Sequence, residues 1–171
     1  MVSSLRYSRR QTYYDGKQQS STTNNIYPSI DPCTAQTIAE IERSSTADIE
    51  AAISSAQTAF SGWSSTPAIE RSRILHRAAA ILRLRNDELA EIETRDTGKP
   101  YSETSVVDIV TGADVLEYYA NLIGGGGLNG ERGQLRKDTW FVSSKEPLGV
   151  CVGIGAWNYP LQMLVSCAGQ G

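Results

Sequence analysis

The residue types that point most directly to chemistry lie near the end of the 171-residue chain, in Gly149-Val150-Cys151-Val152-Gly153-Ile154-Gly155-Ala156-Trp157-Asn158-Tyr159-Pro160. The run from Gly149 to Ile154 reads as a continuously apolar, fully buried strand. The Trp157-Asn158-Tyr159-Pro160 corner then falls at the carboxyl edge of a sheet, where open α/β sheets bind ligands. There the side-chain amide of Asn158 can donate a hydrogen bond to an oxyanion developing on an attacked carbonyl, a contact worth a few kcal/mol of barrier. Spacing alone favours Asn158 as a simple helix cap or turn former. Gly153 and Gly155 resemble the start of a dinucleotide fingerprint, but Asn158 stands at the third glycine and no acid follows at the required distance.

Other candidate groups carry less. Cys33, Cys151 and Cys167 are widely spaced, with no paired metal-ligand spacing, and read as free thiols in a reducing compartment. The single histidine, His76, stands among arginines and reads as a surface residue rather than an acid-base group. The quartet Gly124 to Gly127 follows a helix and lacks the Lys-Ser/Thr that would complete a phosphate cradle, so it reads as a connector. A net charge of -3 gives no electrostatic reason to expect nucleic acid or an anionic membrane as partner. No apolar run reaches the length of a membrane span. The cytosol is favoured; Arg6, Arg9 and Arg10 with no acid before Asp15 weakly suggest a mitochondrial presequence as the alternative.

The elements that must position Asn158 can be read from period and punctuation. Asp15-Gly16 between extended-type residues signals a hairpin, Asp31-Pro32 a turn, and 37–42 alternates as a half-buried strand. Ser45 or Thr46 caps a first helix with Ile49, Ile53, Ala56 and Phe60 on one face and Gly62 as its stop. Pro67 starts a second, with Ile74, Ala78, Ile81 and Leu82 as its stripe. Asn86 caps a third that buries Leu89 and Ile92 and closes at Gly98 and Pro100. Val106, Ile109, Ala113, Leu116 and Ala120 mark a longer fourth, and Trp140-Phe141-Val142 reads as a strand.

Several long motifs in order, Glu70-Arg71-Ser72-Arg73-Ile74-Leu75-His76-Arg77-Ala78, Arg85-Asn86-Asp87-Glu88-Leu89-Ala90, Asp96-Thr97-Gly98-Lys99-Pro100, the helix over 101–122 and the stretch 146–161, carry a family resemblance. The chain resembles the N-terminal third of NAD(P)-dependent aldehyde dehydrogenases, closest to betaine aldehyde dehydrogenases, over about residues 13–162. The resemblance implies an incomplete α/β fold. Its parts would be a polar segment with a hairpin (1–25), the helical part of a Rossmann-like NAD-binding domain (26–127), a segment of the oligomerisation sheet (128–147) and the first strand of the cofactor sheet (148–162). Residues 163–171 would be a tail outside the family.

The same resemblance implies Asn158 as the oxyanion donor and Gly155, Ala156 and Trp157 along bound NAD, with NADP as the alternative cofactor. It also implies a structural monovalent cation such as potassium near Asp96 and the backbone at Ser29 and Ile30, a donor set of oxygens that suits a hard cation. The implied reaction oxidises betaine aldehyde or a related aminoaldehyde to the carboxylate in a homo-oligomer. It requires a cysteine thiolate and a water-activating glutamate. None of the three cysteines occupies a matching motif, so the chain alone is expected to be inactive. The departure after Gln162 implies a splice variant, a frameshift or a truncated gene model. The alternative reading is a catalytically silent chain that docks on a full-length relative, or an unstable product.

Overall fold

The computed structural model describes residues 9–23 and 25–170; Arg6, part of the presequence-like start, lies outside the described residues. Strands β1 (Thr12–Tyr14) and β2 (Lys17–Gln19) form the expected hairpin. Asp15 and Gly16 both take positive φ, 55° and 70°, as the mirror-image turn of a tight hairpin demands. Strand β4 (Thr37–Glu42) is also as expected, and it pairs antiparallel with β3 (Ile26–Ile30), which the sequence does not announce. Pro28 inside β3 argues against a strand, yet in a two-stranded sheet every strand is an edge, and a missing N–H can face away from the partner.

Helix α1 (Thr46–Ser65) starts with a capping box in which Ser45 and Asp48 satisfy one another's backbone amides. Gly62 does not stop it. The helix runs on to Ser65, because the space around Gly62 is open and the break comes from Pro67, which holds Thr66 in the extended region (φ -65°, ψ 130°). The expected apolar face is not buried: Ile49, Ile53 and Ala56 are exposed and only Phe60 is half-buried. An amphipathic stripe needs an opposing surface, and within this chain α1 meets mainly the small β1 strand.

Helices α2 (Ala68–Leu84) and α5 (Ile109–Gly124) form the centre of the molecule. Here the α2 stripe is rotated from the expected one: Leu75, Ala78, Ala79 and Leu82 face the core, while Ile74 and Ile81 are exposed. Small residues decide this, since Ala79, Ala113 and Ala120 are fully buried and allow close backbone approach. The Ser72 hydroxyl donates to the Ala120 carbonyl at 2.7 Å, and a Cβ on Gly124 would stand 2.7 Å from that same hydroxyl. Burial of Leu116 in this cluster contributes about 2 kcal/mol.

Helix α3 (Asn86–Thr97) starts directly after Arg85, with no side-chain cap, so Asn86 lies inside it and donates to the Ser105 carbonyl at 3.0 Å. Leu89 and Ile92 are half-buried rather than buried; Ala90 and Glu93 take the innermost positions. Gly98 ends the helix in the left-handed conformation (φ 79°), with no room for a Cβ against Pro32. After a single turn α4 (Tyr101–Glu103), a π-helical turn (Thr104–Asp108) leads into α5. Its extra residue changes the phase of the stripe. Val106 is consequently exposed where a uniform 3.6 period would bury it, and Thr104 and Asp108 turn inward to full burial.

The glycine run ends α5 and makes a turn in which Gly126 has φ 85°. Strands β5 (Arg132–Arg136) and β6 (Thr139–Val142) then form a third antiparallel pair. The expected strand at 149–154 is absent: no strand is formed over 143–156, and Leu148 and Ile154 are 96% and 94% exposed. A buried parallel strand needs neighbours on both edges, and among the described residues none lies beside it. Helix α6 (Pro160–Gln170) packs on α5, where Gly112 lets Val165 approach to 3.2 Å of the position a Cβ would take. Among the described residues no helix is long and apolar enough to cross a membrane.

Candidate functional site

Asn158 sits in the turn that feeds α6, on the surface, and its side-chain amide makes no hydrogen bond to the described residues. The turn is held from below by Lys99. The Lys99 ammonium donates to the Asn158 main-chain carbonyl at 3.3 Å and stands 3.5 Å from the centre of the Tyr159 ring. Trp157, Asn158 and Tyr159 line a cleft of about 470 Å³ with Thr97, Lys99 and Glu103.

Beneath this cleft lies a buried ionic cluster that the sequence reasoning missed. Lys99 Nζ is 2.5 Å from Asp108 Oδ2 and 3.2 Å from Glu103 Oε1. Burial works against the Lys99 charge, but the Asp108 and Glu103 carboxylates hold its pKa above the ordinary value. Glu93, only 4% exposed, has a pKa raised to about 7, first by burial and then by the neighbouring Asp108 carboxyl; the Leu161 amide and Lys99 pull the other way. Glu93 Oε1 and Asp108 Oδ1 are both buried without a donor, and a proton retained on Glu93 supplies one between them. The signal was present in the sequence: Thr104, Asp108 and Gly112 share one helix face with Ile109 and Ala113, and polar groups on an apolar stripe mark buried pairing.

Ser29 and Asp96, distant in sequence, come together: the Ser29 hydroxyl donates to Asp96 Oδ1 at 2.7 Å. Pairing between β3 and β4 shifts register at Ser29 and Ile30, which interrupts the ladder there. A cavity of about 520 Å³ touches Ser29, Ile30, Asp96 and, at its far wall, Trp157. The described residues hold no group of three His, Cys, Asp or Glu able to bind a metal, so any ion here would rest on Asp96 plus neutral oxygens. That donor set fits a hard monovalent cation.

Gly155, Ala156 and Trp157 are exposed, and no backbone hydrogen bond ties 150–157 to the other described residues. A Cβ on Gly155 would meet Met163 at 3.3 Å, and Gly153 packs against Cys167 with no room for a side chain. The main-chain amides and carbonyls of this exposed stretch are thus left open to a polar ligand. Cys33, Cys151 and Cys167 are free and exposed, and none adjoins a base. His76 is half-buried on α2 and does not line the Asn158 cleft.

Comparison with known proteins agrees with the fold. The model of the aldehyde dehydrogenase family matches residues 18–170, a stretch that includes 163–170, set apart above as a tail; α6 carries those residues on the same helix as Pro160. Among solved structures, a betaine aldehyde dehydrogenase from Staphylococcus aureus in complex with NAD+ is 31% identical with a TM-score of 0.83, over 91% of this chain and 31% of that one. A putative aldehyde dehydrogenase from Burkholderia cenocepacia is 27% identical with a TM-score of 0.87, over 94% of this chain and 32% of that one. An indole-3-acetaldehyde dehydrogenase is 30% identical with a TM-score of 0.84, over 91% and 36%. The chain thus spans about a third of the length of these relatives, and its architecture is the mixed α/β fold of their N-terminal portion. With a family match over residues 18–170 and a solved member 31% identical across 91% of this chain, the chain belongs to the aldehyde dehydrogenase family.

Proposed function

We propose that this chain supplies the N-terminal part of an NAD(P)-dependent aldehyde-oxidising site acting on betaine aldehyde or a related aminoaldehyde. In that site Asn158 donates to the oxygen of the attacked carbonyl. The observation that carries this reading is the free side-chain amide of Asn158 on a turn whose main chain is fixed from below, since a donor stabilises developing charge only if it is already in place. Gly155, Ala156 and Trp157 would hold the cofactor, and NAD(P), when bound, accepts the hydride. Asp96 with the backbone at Ser29 and Ile30 would hold a potassium-like ion that stiffens the β3–β4 hairpin against α3. The β5–β6 hairpin, with Leu135, Trp140 and Val142 exposed, would join a sheet between subunits of a homo-oligomer.

The test joins residues 1–162 to the C-terminal two-thirds of the related betaine aldehyde dehydrogenase and follows NADH formation. Asn158→Ala is expected to lower kcat by about 10²–10³ with little change in KM; a loss below tenfold refutes the donor role. Betaine aldehyde is expected to be preferred over an uncharged aldehyde of equal length, and the reverse preference refutes the substrate assignment. A second reading, a silent chain docking on a full-length relative, is favoured by the exposed Leu148, Val152 and Ile154. It predicts co-purification with such a relative, and a tagged chain that recovers none counts against it.

A further inference from the structure

We propose that Lys99 is the positioning residue for the Asn158 turn. Its functional meaning rests on the oxyanion-donor reading above, but its geometry does not. The ammonium donates to Asp108 Oδ2 at 2.5 Å and to the Asn158 carbonyl at 3.3 Å, and it forms an ion pair with Glu103 Oε1 at 3.2 Å. The Tyr159 ring takes a further side at 3.5 Å, in the cation–π arrangement. Two of these four contacts fix the ammonium to the helical body, and two fix the turn to the ammonium.

The body itself leaves Lys99 little freedom. Gly98 in its left-handed conformation sets where the chain leaves α3, and its contact with Pro32 prevents any larger residue there. The Lys99 amide is held by the Thr97 hydroxyl at 3.3 Å, and Pro100 fixes the next turn. The π-helical turn delivers Asp108 to full burial at the one place where the ammonium can reach it. On the other side, the Met163 amide bonds to the Tyr159 carbonyl at 2.9 Å, so the first turn of α6 hangs from the residue whose ring lies against Lys99. Lys99 therefore holds the main chain of Asn158 and leaves its side chain free. A donor displaced by about 1 Å can cost on the order of 10²-fold in rate, which gives the anchor its value.

The experiment is hydrogen exchange by mass spectrometry on the full 171-residue chain at micromolar concentration. The variants are Lys99→Arg, Lys99→Met, and Lys99→Met/Asp108→Asn, the last because Lys99→Met alone leaves a buried carboxylate unpaired. In the double variant, exchange at Leu161 and Met163 is expected to rise tenfold or more, while peptides from the α2 and α5 core keep their protection; Lys99→Arg restores most of the protection. Unchanged exchange at 161–163, or a uniform loss across α2 and α5, overturns the proposal, the latter by showing a general rather than a local role. Tyr159→Leu, which leaves the ionic cluster intact, decides the matter if the Lys99 variants do not fold: it too must raise exchange at 161–163 by several-fold, and no change overturns the proposal. Asn158→Ala is expected to leave this exchange unchanged. Loss of turnover in that variant tests the donor reading, so the two can fail separately.

Discussion

Replacing Glu93 by glutamine should change how stability depends on pH, by an amount that follows from the buried cluster. The Glu93 carboxyl has an ordinary pKa of 4.5 and one of about 7 in the folded chain. Below pH 4.5 both folded and unfolded chains carry the proton, and the folded state loses nothing. Between 4.5 and 7 the unfolded chain releases it while the folded chain keeps it, so stability falls as pH rises and the loss is complete above 7. At about 1.4 kcal/mol for each pH unit, this interval sets a ceiling of about 3 kcal/mol. Asp31, Glu42 and Asp48 act in the opposite sense at lower pH. Each is held below its ordinary value, chiefly by the Cys33 amide, the Ser21 amide and the Ser21 hydroxyl respectively, so each adds stability as pH rises toward about 4 and loses it on acidification. The parent chain should therefore be most stable near pH 4–5.

Glu93→Gln keeps an acceptor for the Leu161 amide and gives Asp108 a permanent donor, but it has no proton to lose. Urea unfolding at micromolar concentration, followed by tryptophan fluorescence from pH 4.5 to 8, measures the difference. The gain of the variant over the parent should be about 2–3 kcal/mol larger at pH 8 than at pH 4.5. Parallel profiles for the two proteins would refute the shared-proton account of the Glu93–Asp108 pair.

Three further outcomes can be checked directly. Ser45→Ala removes half of the α1 capping box and should cost about 1 kcal/mol, read as a lower Tm by circular dichroism; an unchanged Tm refutes the cap. Gly124→Ala places a Cβ 2.7 Å from the Ser72 hydroxyl that joins α2 to α5, and should cost about 1–3 kcal/mol in urea unfolding. Leu148, Val152 and Ile154 form an exposed apolar run, so Val152→Lys/Ile154→Lys should raise the solubility limit of the chain; an unchanged limit contradicts this.

Features set by a few neighbouring residues were legible in the sequence. The Asp15-Gly16 hairpin, the Ser45 cap and the Gly98 terminus each arise from local backbone preference, and each is found where expected. The Trp157-Asn158-Tyr159 corner likewise forms a turn, as its composition suggests. Errors arose wherever a periodic pattern had to choose a partner. The rotated α2 stripe, the exposed face of α1 and the missing strand at 149–154 all depend on what lies opposite, and period records which face is apolar rather than what covers it.

The sequence by itself therefore determined the family, the succession of helices from α1 to α5 and the turn that carries Asn158. Only the tertiary structure decided how that tip is held. Lys99, Asp108 and Asn158 lie on three separate segments, and a π-helical turn and a left-handed glycine bring them within hydrogen-bond reach. A buried charge finds its partner through space, at distances that no spacing along the chain encodes.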